Sequence, residues 1–216
     1  DLAKDYVFDQ LIRKINALPS ICSSAIASHL LFLPRICTLF SWNNLGHQSR
    51  KQLVEAQVNL CLFFAKSKNK FLYDINYKCL KKTLLSLDET TLNEYLVTIK
   101  GLNSSIGTSI LWDNVVRFFK ENDHLEHFSA HKDYILDCFN KNIVMSKTKI
   151  PDCFGSFAFA NVLRQIDEND FKSILFPALQ KAILRSAETS LVLISFLFEF
   201  LNFNLSNFSQ GMLLND

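Results

Sequence analysis

Apolar residues return at i, i+3, i+4 and i+7 along most of the chain, the period of a helix with one buried face. Leu53, Val54, Ala56, Val58, Leu60, Leu62, Phe63 and Phe64 form one such run. Leu72, Ile75, Cys79, Leu80, Leu84, Leu85 and Leu87 form a second, and Leu92, Tyr95, Leu96 and Ile99 a third. Ile110, Leu111, Val115, Phe118 and Phe119 follow, then Tyr134, Ile135, Cys138, Phe139, Ile143 and Val144. The pattern predicts an all-α chain of roughly ten or eleven helices and no strand.

Start and stop signals divide these runs. Asp88 and Ser129 are expected N-caps, because a short side-chain oxygen accepts from the free amides of a first turn. Gly101 and Gly107 bracket an expected loop at residues 102–106, and residues 147–151 are expected to break helix ahead of Pro151. The acids at residues 167–170 are placed to open another helix at the positive end of its dipole. First helices near Gln48, Asp88, Ser129 and Asp170 lie 40, 41 and 41 residues apart. Second helices follow near Leu72, Thr108, Asp152 and Glu188. Two helices per roughly 40–47 residues is the HEAT or armadillo period. The predicted fold is a right-handed α-solenoid of HEAT-type helix pairs, one segment over residues 1–216 with about five pairs, and an irregular helical bundle is the alternative. Residues 1–47 are the part this pattern assigns least.

The final pair shows why such units stack. Phe171, Ile174, Leu175, Ala178, Leu179, Ala182 and Ile183 make one stripe, with Pro177 expected to bend the axis. Residues 191–201 are apolar nearly all round, so a helix there needs cover from neighbouring pairs as well as its own partner. The alternation of Phe196, Phe198 and Phe200 would also suit a strand, but Phe196, Phe200 and Phe203 share a helical face.

Composition narrows the function classes. The 216 residues are 49% hydrophobic and 20% charged with only five Gly and four Pro, which disfavours turn-rich β architecture and disordered linkers. A net charge of +2 excludes a polybasic tail and leaves room for a local basic patch. Asp1 in place of an initiator Met, with no secretory pattern after it, reads as a piece of a longer protein. The charge-free stretch at residues 15–34 is interrupted by Asn16, Pro19, His29 and four serines, and residues 191–203 are short and carry Glu199. No membrane span is expected. Cysteines at 22, 37, 61, 79, 138 and 153 form no CxxC, and several sit in apolar runs, as free buried thiols of a reducing cytoplasm do.

Candidate chemistry is sparse. His124, His127 and His131 are spaced three and four apart, a spacing that shares one helix face. A helix start at Ser129 would divide them into solvated turn histidines, so no metal site is expected. Asp167, Glu168 and Asp170 are explained by a helix start without an acid–base role. No nucleophile elbow, phosphate loop or dinucleotide fingerprint occurs, and no enzyme, cofactor or small-molecule substrate is expected. Charge is more telling. Residues 66–82 carry Lys66, Lys68, Lys70, Lys78, Lys81 and Lys82 against Asp74 alone, a local +5, with Tyr73 and Tyr77 between them. Lysines so placed can hold phosphates without reading sequence, although an ordinary solvated helix face has the same composition. A weaker second patch comprises Lys132, Lys141, Lys147 and Lys149.

Several long segments resemble one family. Residues 170–188, DFKSILFPALQKAILRSAE, resemble the "LPALQKxLLRSPE" helix of the general-control translational activator family. Residues 131–151, HKDYILDCFNKNIVMSKTKIP, resemble its "HKxxLLDFYxKNILMSKxKPP" run, and residues 203–208 its "TLDLSQY" segment. Residues 51–57 and 93–96 fit as well, so the likeness runs from about Lys51 to the end. Ala187 stands where the family usually has Pro, and Asn202, Phe203 and Asn204 replace small and β-branched residues. The resemblance implies the N-terminal region of a giant cytoplasmic HEAT-repeat protein that associates with stalled or collided ribosomes, through protein or rRNA. It also implies that the family promotes activation of the starvation kinase of translation initiation factor two. The regions that bind that kinase and an ATP-binding-cassette partner lie elsewhere in the family. The alternative function is a HEAT-type protein-binding module such as a transport adaptor.

Overall fold

Helix starts are fixed locally by side-chain caps. Asn69 accepts from the amides of Phe71 and Leu72, Asp88 from Thr91, Ser105 from Thr108 and Asp167 from Asp170. The computed structural model describes residues 2–20, 24–144 and 159–183, and these are helical with no strand among them. In chain order the α-helices are α1 (Leu2–Asn16), α2 (Ser24–His29), α3 (Phe32–Cys37), α4 (His47–Lys66), α5 (Lys70–Leu85) and α6 (Glu89–Lys100). They continue with α7 (Ile106–Glu121), α8 (Leu125–Phe139), α9 (Ala160–Leu163), α10 (Glu168–Asp170) and α11 (Phe176–Ile183). The break expected at residues 147–151, the starts near Asp152 and Glu188, and the phenylalanine-rich segment beyond residue 190 lie outside the described residues.

Ser129 is not a helix start. The chain reverses at Asp123, whose φ is 57°, and α8 begins at Leu125 with His124 at its N-cap. Ser129 lies one turn inside, its hydroxyl donating back to the Leu125 carbonyl at 3.3 Å. A serine is equally at home capping or back-bonding, and the preceding left-handed residue decided between them. First helices therefore begin at His47, Glu89, Leu125 and Glu168, a less even stride of 42, 36 and 43. Gly107 likewise belongs to the first turn of α7, where a Cβ would approach Val58 Cγ1 to 2.8 Å. That position needs glycine for close α4–α7 packing. Near Pro177 the helix widens into a π-turn at Phe171–Leu175, closed by the Phe176 amide on the Phe171 carbonyl. The five-residue ring accommodates a proline that supplies no amide to the next turn.

Packing centres on α4 and α7. These two helices make the most extensive contact, and each carries a hairpin partner, α5 for α4 and α8 for α7. Lys68, with φ 54°, reverses the first hairpin as Asp123 reverses the second. The expected partnership of α6 with α7 is not the dominant one: α6 lies mainly on α4. There the predicted stripe Leu92, Tyr95, Leu96 and Ile99 is buried, and Tyr95 donates to Gln57 at 2.7 Å. α1 buries Phe8, Leu11, Ile12 and Ile15 and docks on α4, while α9 packs on α7. α7 is consequently enclosed on several sides, and Ser109, Asp113 and Asn114 are buried along with its apolar stripe. The arrangement is all-helical and compatible with an α-solenoid. Among the described residues, no helix is long and apolar enough to cross a membrane.

Candidate functional site

The α5 helix turns its lysines outward because its opposite face is spent on the core. Leu72, Tyr73, Asn76, Tyr77, Leu80 and Leu84 are buried, whereas Lys70, Lys78 and Lys82 are exposed and Lys68 is exposed in the preceding turn. Lys66 is half-buried at the end of α4. Tyr73 and Tyr77, expected among the lysines, are only 2% and 1% exposed. The apolar side chains displayed beside the lysines are instead Phe71, 68% exposed, and Leu85, 58% exposed. The period alone placed Leu85 in the buried stripe; the actual stripe is rotated toward the tyrosines.

Lys81 differs from its neighbours. It pairs with Glu121 of α7 at 2.8 Å, inside a clamp that locks α5 to α7. Arg117 meets Asp74 at 2.6 Å and Glu121 at 2.9 Å, and lies 3.9 Å from the centre of the Tyr77 ring. Tyr77 donates its hydroxyl to Glu121 at 2.8 Å. Burial opposes ionisation of Glu121, but hydrogen bonds from Lys81, Arg117 and Tyr77 outweigh it and hold the carboxyl down at about 2. Burial, and then donation to that carboxylate, pushes the Tyr77 phenol up. Asp74, the one acid in the basic segment, is thus already occupied by Arg117. A carboxyl depressed in the fold stabilises it above the unfolded value and loses that contribution as pH falls toward 2. Glu121→Gln should therefore cost about 1–2 kcal/mol at pH 7, discounted for its partial exposure, and almost nothing near pH 2, by urea unfolding.

Other candidates are accounted for by structure. Asp167 accepts the Asp170 amide and pairs with Lys132 at 3.2 Å, which holds its carboxyl below its ordinary value; Lys132 also meets Asp170 at 2.6 Å. These acids brace α8 to α10. Of the second lysine patch, Lys132 is so bound, Lys141 pairs with Asp137 at 2.6 Å, and Lys147 and Lys149 lie outside the described residues. Cys37, Cys61, Cys79 and Cys138 are free and buried. Burial pushes the Cys37 and Cys61 thiols up to about 12, so neither is a thiolate at neutral pH.

Two features were not read from the sequence. Asp113, fully buried in α7, accepts the Val162 amide at 2.8 Å and the Asn161 side chain at 2.7 Å, capping α9 from another helix. Burial drives its carboxyl up to about 7 despite those two donors. The only signal was a polar Asp113-Asn114 pair within an apolar helix. The second is the continuity of α8, which brings His124 and His127 together with Glu126 at one helix start. His131, a turn further on, rests against Trp112 with ring centres 6.0 Å apart.

A family model described as the N-terminal region of the stalled ribosome sensor GCN1 matches residues 132–215. The stalled ribosome sensor GCN1 of Homo sapiens is 30% identical over 161 residues, 74% of this chain and 6% of its own length. That of Mus musculus is 30% identical over 158 residues, 73% of this chain and 6% of its own. The chain thus spans about 6% of the length of the curated relatives it matches. No solved structure gives a significant match. The matched span includes KDYILDCF and FPALQKAI, which lie within the segments singled out above, and the chain belongs to the GCN1 family, within its N-terminal region.

Proposed function

We propose that the chain is a non-catalytic, cytoplasmic scaffold segment that associates with ribosomes, built as a right-handed solenoid of HEAT-type helix pairs. Membership of the N-terminal region of a family named for stalled-ribosome sensing carries this reading. The contact surface is the outer face of α5 with the turn before it. Lys68, Lys70, Lys78 and Lys82 are exposed there and form no ion pair among the described residues. Lys66 borders this surface. Lys81 is held by Glu121 and serves the fold instead. The mechanism is geometric: a long helical rod holds many modest contacts in register, and their effective concentrations multiply. Any promotion of the starvation kinase follows indirectly, from placing the full-length protein on the ribosome.

A chain with Lys70, Lys78 and Lys82 all changed to Glu should co-sediment less with ribosomes, and the log–log salt slope should shrink by about 1 for each phosphate that is no longer neutralised. Unchanged sedimentation across salt concentrations would remove this ridge from the interface. The exposed Phe71 and Leu85 favour a second reading, an apolar contact with a protein partner. It requires Phe71→Ala to weaken binding more than the lysine changes do, with little salt dependence.

A further inference from the structure

We propose that His124, Glu126 and His127 of α8, together with Glu89 of α6, form a binding site for one zinc-class divalent cation. Donor atoms of His124, Glu126 and His127 all lie within 4.8 Å of one another. His124 Nδ1 is 3.4 Å from Glu126 Oε1, and His127 Nε2 is 3.4 Å from Glu89 Oε1 and 4.0 Å from Glu126 Oε1. Good hydrogen bonds between such groups are shorter, about 2.7–3.2 Å. Tetrahedral coordination with bonds of about 2.0–2.1 Å sets neighbouring donors about 3.4 Å apart. His124, Glu126 and His127 therefore face a common point at the spacing of ligands sharing an ion, and Glu89, which meets this cluster through His127, would supply the fourth ligand by rotation of its exposed side chain.

The imidazoles are held in place by the end of α7. His127 stacks on Phe119 with ring centres 5.4 Å apart and 28° between planes, and His124 stacks on Phe118 at 6.2 Å and 29°. His127 is buried, so its ring has little freedom to turn away. A cation at two helix starts meets the unfavourable end of both dipoles, but the two carboxylates cancel its double charge and already prefer that position. Two imidazoles and two carboxylates match a borderline cation such as zinc and disfavour magnesium or calcium, which seek all-oxygen cages. Four protein ligands close the coordination sphere, so the ion would act as a structural clip. It would join the start of α6 to the start of α8, elements 36 residues apart along the chain.

The test is a zinc titration of the metal-free full chain against a chromophoric chelator, repeated with cobalt for its visible spectrum. The expected result is one equivalent per chain, intense tetrahedral cobalt bands, and no displacement by excess magnesium or calcium. Affinity should fall by about tenfold or more in Glu89→Gln and Glu126→Gln, and by about a hundredfold in His127→Ala. The two glutamate variants are decisive, because their side chains are exposed and their loss leaves packing intact. His47→Ala, at an exposed histidine elsewhere, should change nothing. Binding below one equivalent, unchanged affinity in both glutamate variants, or displacement by magnesium would overturn the assignment.

Discussion

At pH 8 the Asp113→Asn variant will unfold at higher urea concentration than the parent chain, and this advantage will vanish by pH 4. Asp113 has no solvent contact, and burial raises its carboxyl from 3.8 to about 7. An acid raised in the fold contributes fully below its unfolded value and loses that contribution as pH rises through the folded one. The parent should therefore lose on the order of 3–4 kcal/mol from this group between pH 4 and pH 7. Asparagine keeps an oxygen for the Val162 amide, and Asn161 can rotate its own amide to present an oxygen to the new NH2. About 2 kcal/mol of that loss should return in the variant at pH 8, the remainder being offset by imperfect geometry. His131, whose ring is depressed by burial and by the nearby Lys100 and His127 charges, acts in the opposite direction over part of the same range. The difference between parent and variant cancels it. A parent chain that gains stability relative to Asp113→Asn between pH 4.5 and pH 7 would refute the assignment.

Trp112→Ala should cost about 3–5 kcal/mol, the range for an aromatic removed from a closed core. Trp112 is fully buried in α7 and packs edge-on against Tyr134 of α8 at 5.9 Å, so its loss opens a cavity between the second hairpin's two helices. For a chain of this size the midpoint should fall by about 10 °C. Trp42 remains to report the transition, seated at 5.3 Å against Tyr95 on the α4–α6 side. A loss below about 1 kcal/mol would mean that the hairpin collapses onto the vacancy, contrary to the close packing seen around α7.

The contrast between these two neighbours shows where sequence reading stops. Trp112 is a large apolar residue in an apolar run, and its burial follows from period and hydrophobicity. Asp113 is buried for a different reason: α9 covers the polar side of α7 and needs a cap that its own N-terminal residues do not supply. No local pattern encodes a cap delivered from 49 residues away. The lysine ridge was half legible. Its charge and outward placement follow from composition, but Lys81 belongs to the clamp, and the displayed aromatic is Phe71, not Tyr73 or Tyr77. The histidines were misread at one step, the supposed start at Ser129, because capping and back-bonding use the same hydroxyl.

By itself the amino-acid order determined that the described residues are helical, where most of their helices lie, and which stripe of α6 is buried, because those outcomes rest on neighbours three and four residues apart. It also carried the family, through long ordered matches. The tertiary structure alone decided that α7 pairs with α4 and α8 before α6, that Arg117 and Glu121 tie α5 to α7, and that Glu89 comes to face His127. Each of these joins residues far apart in the chain. Their free energy depends on which helix faces are left over after local folding, a geometric result that no single segment contains.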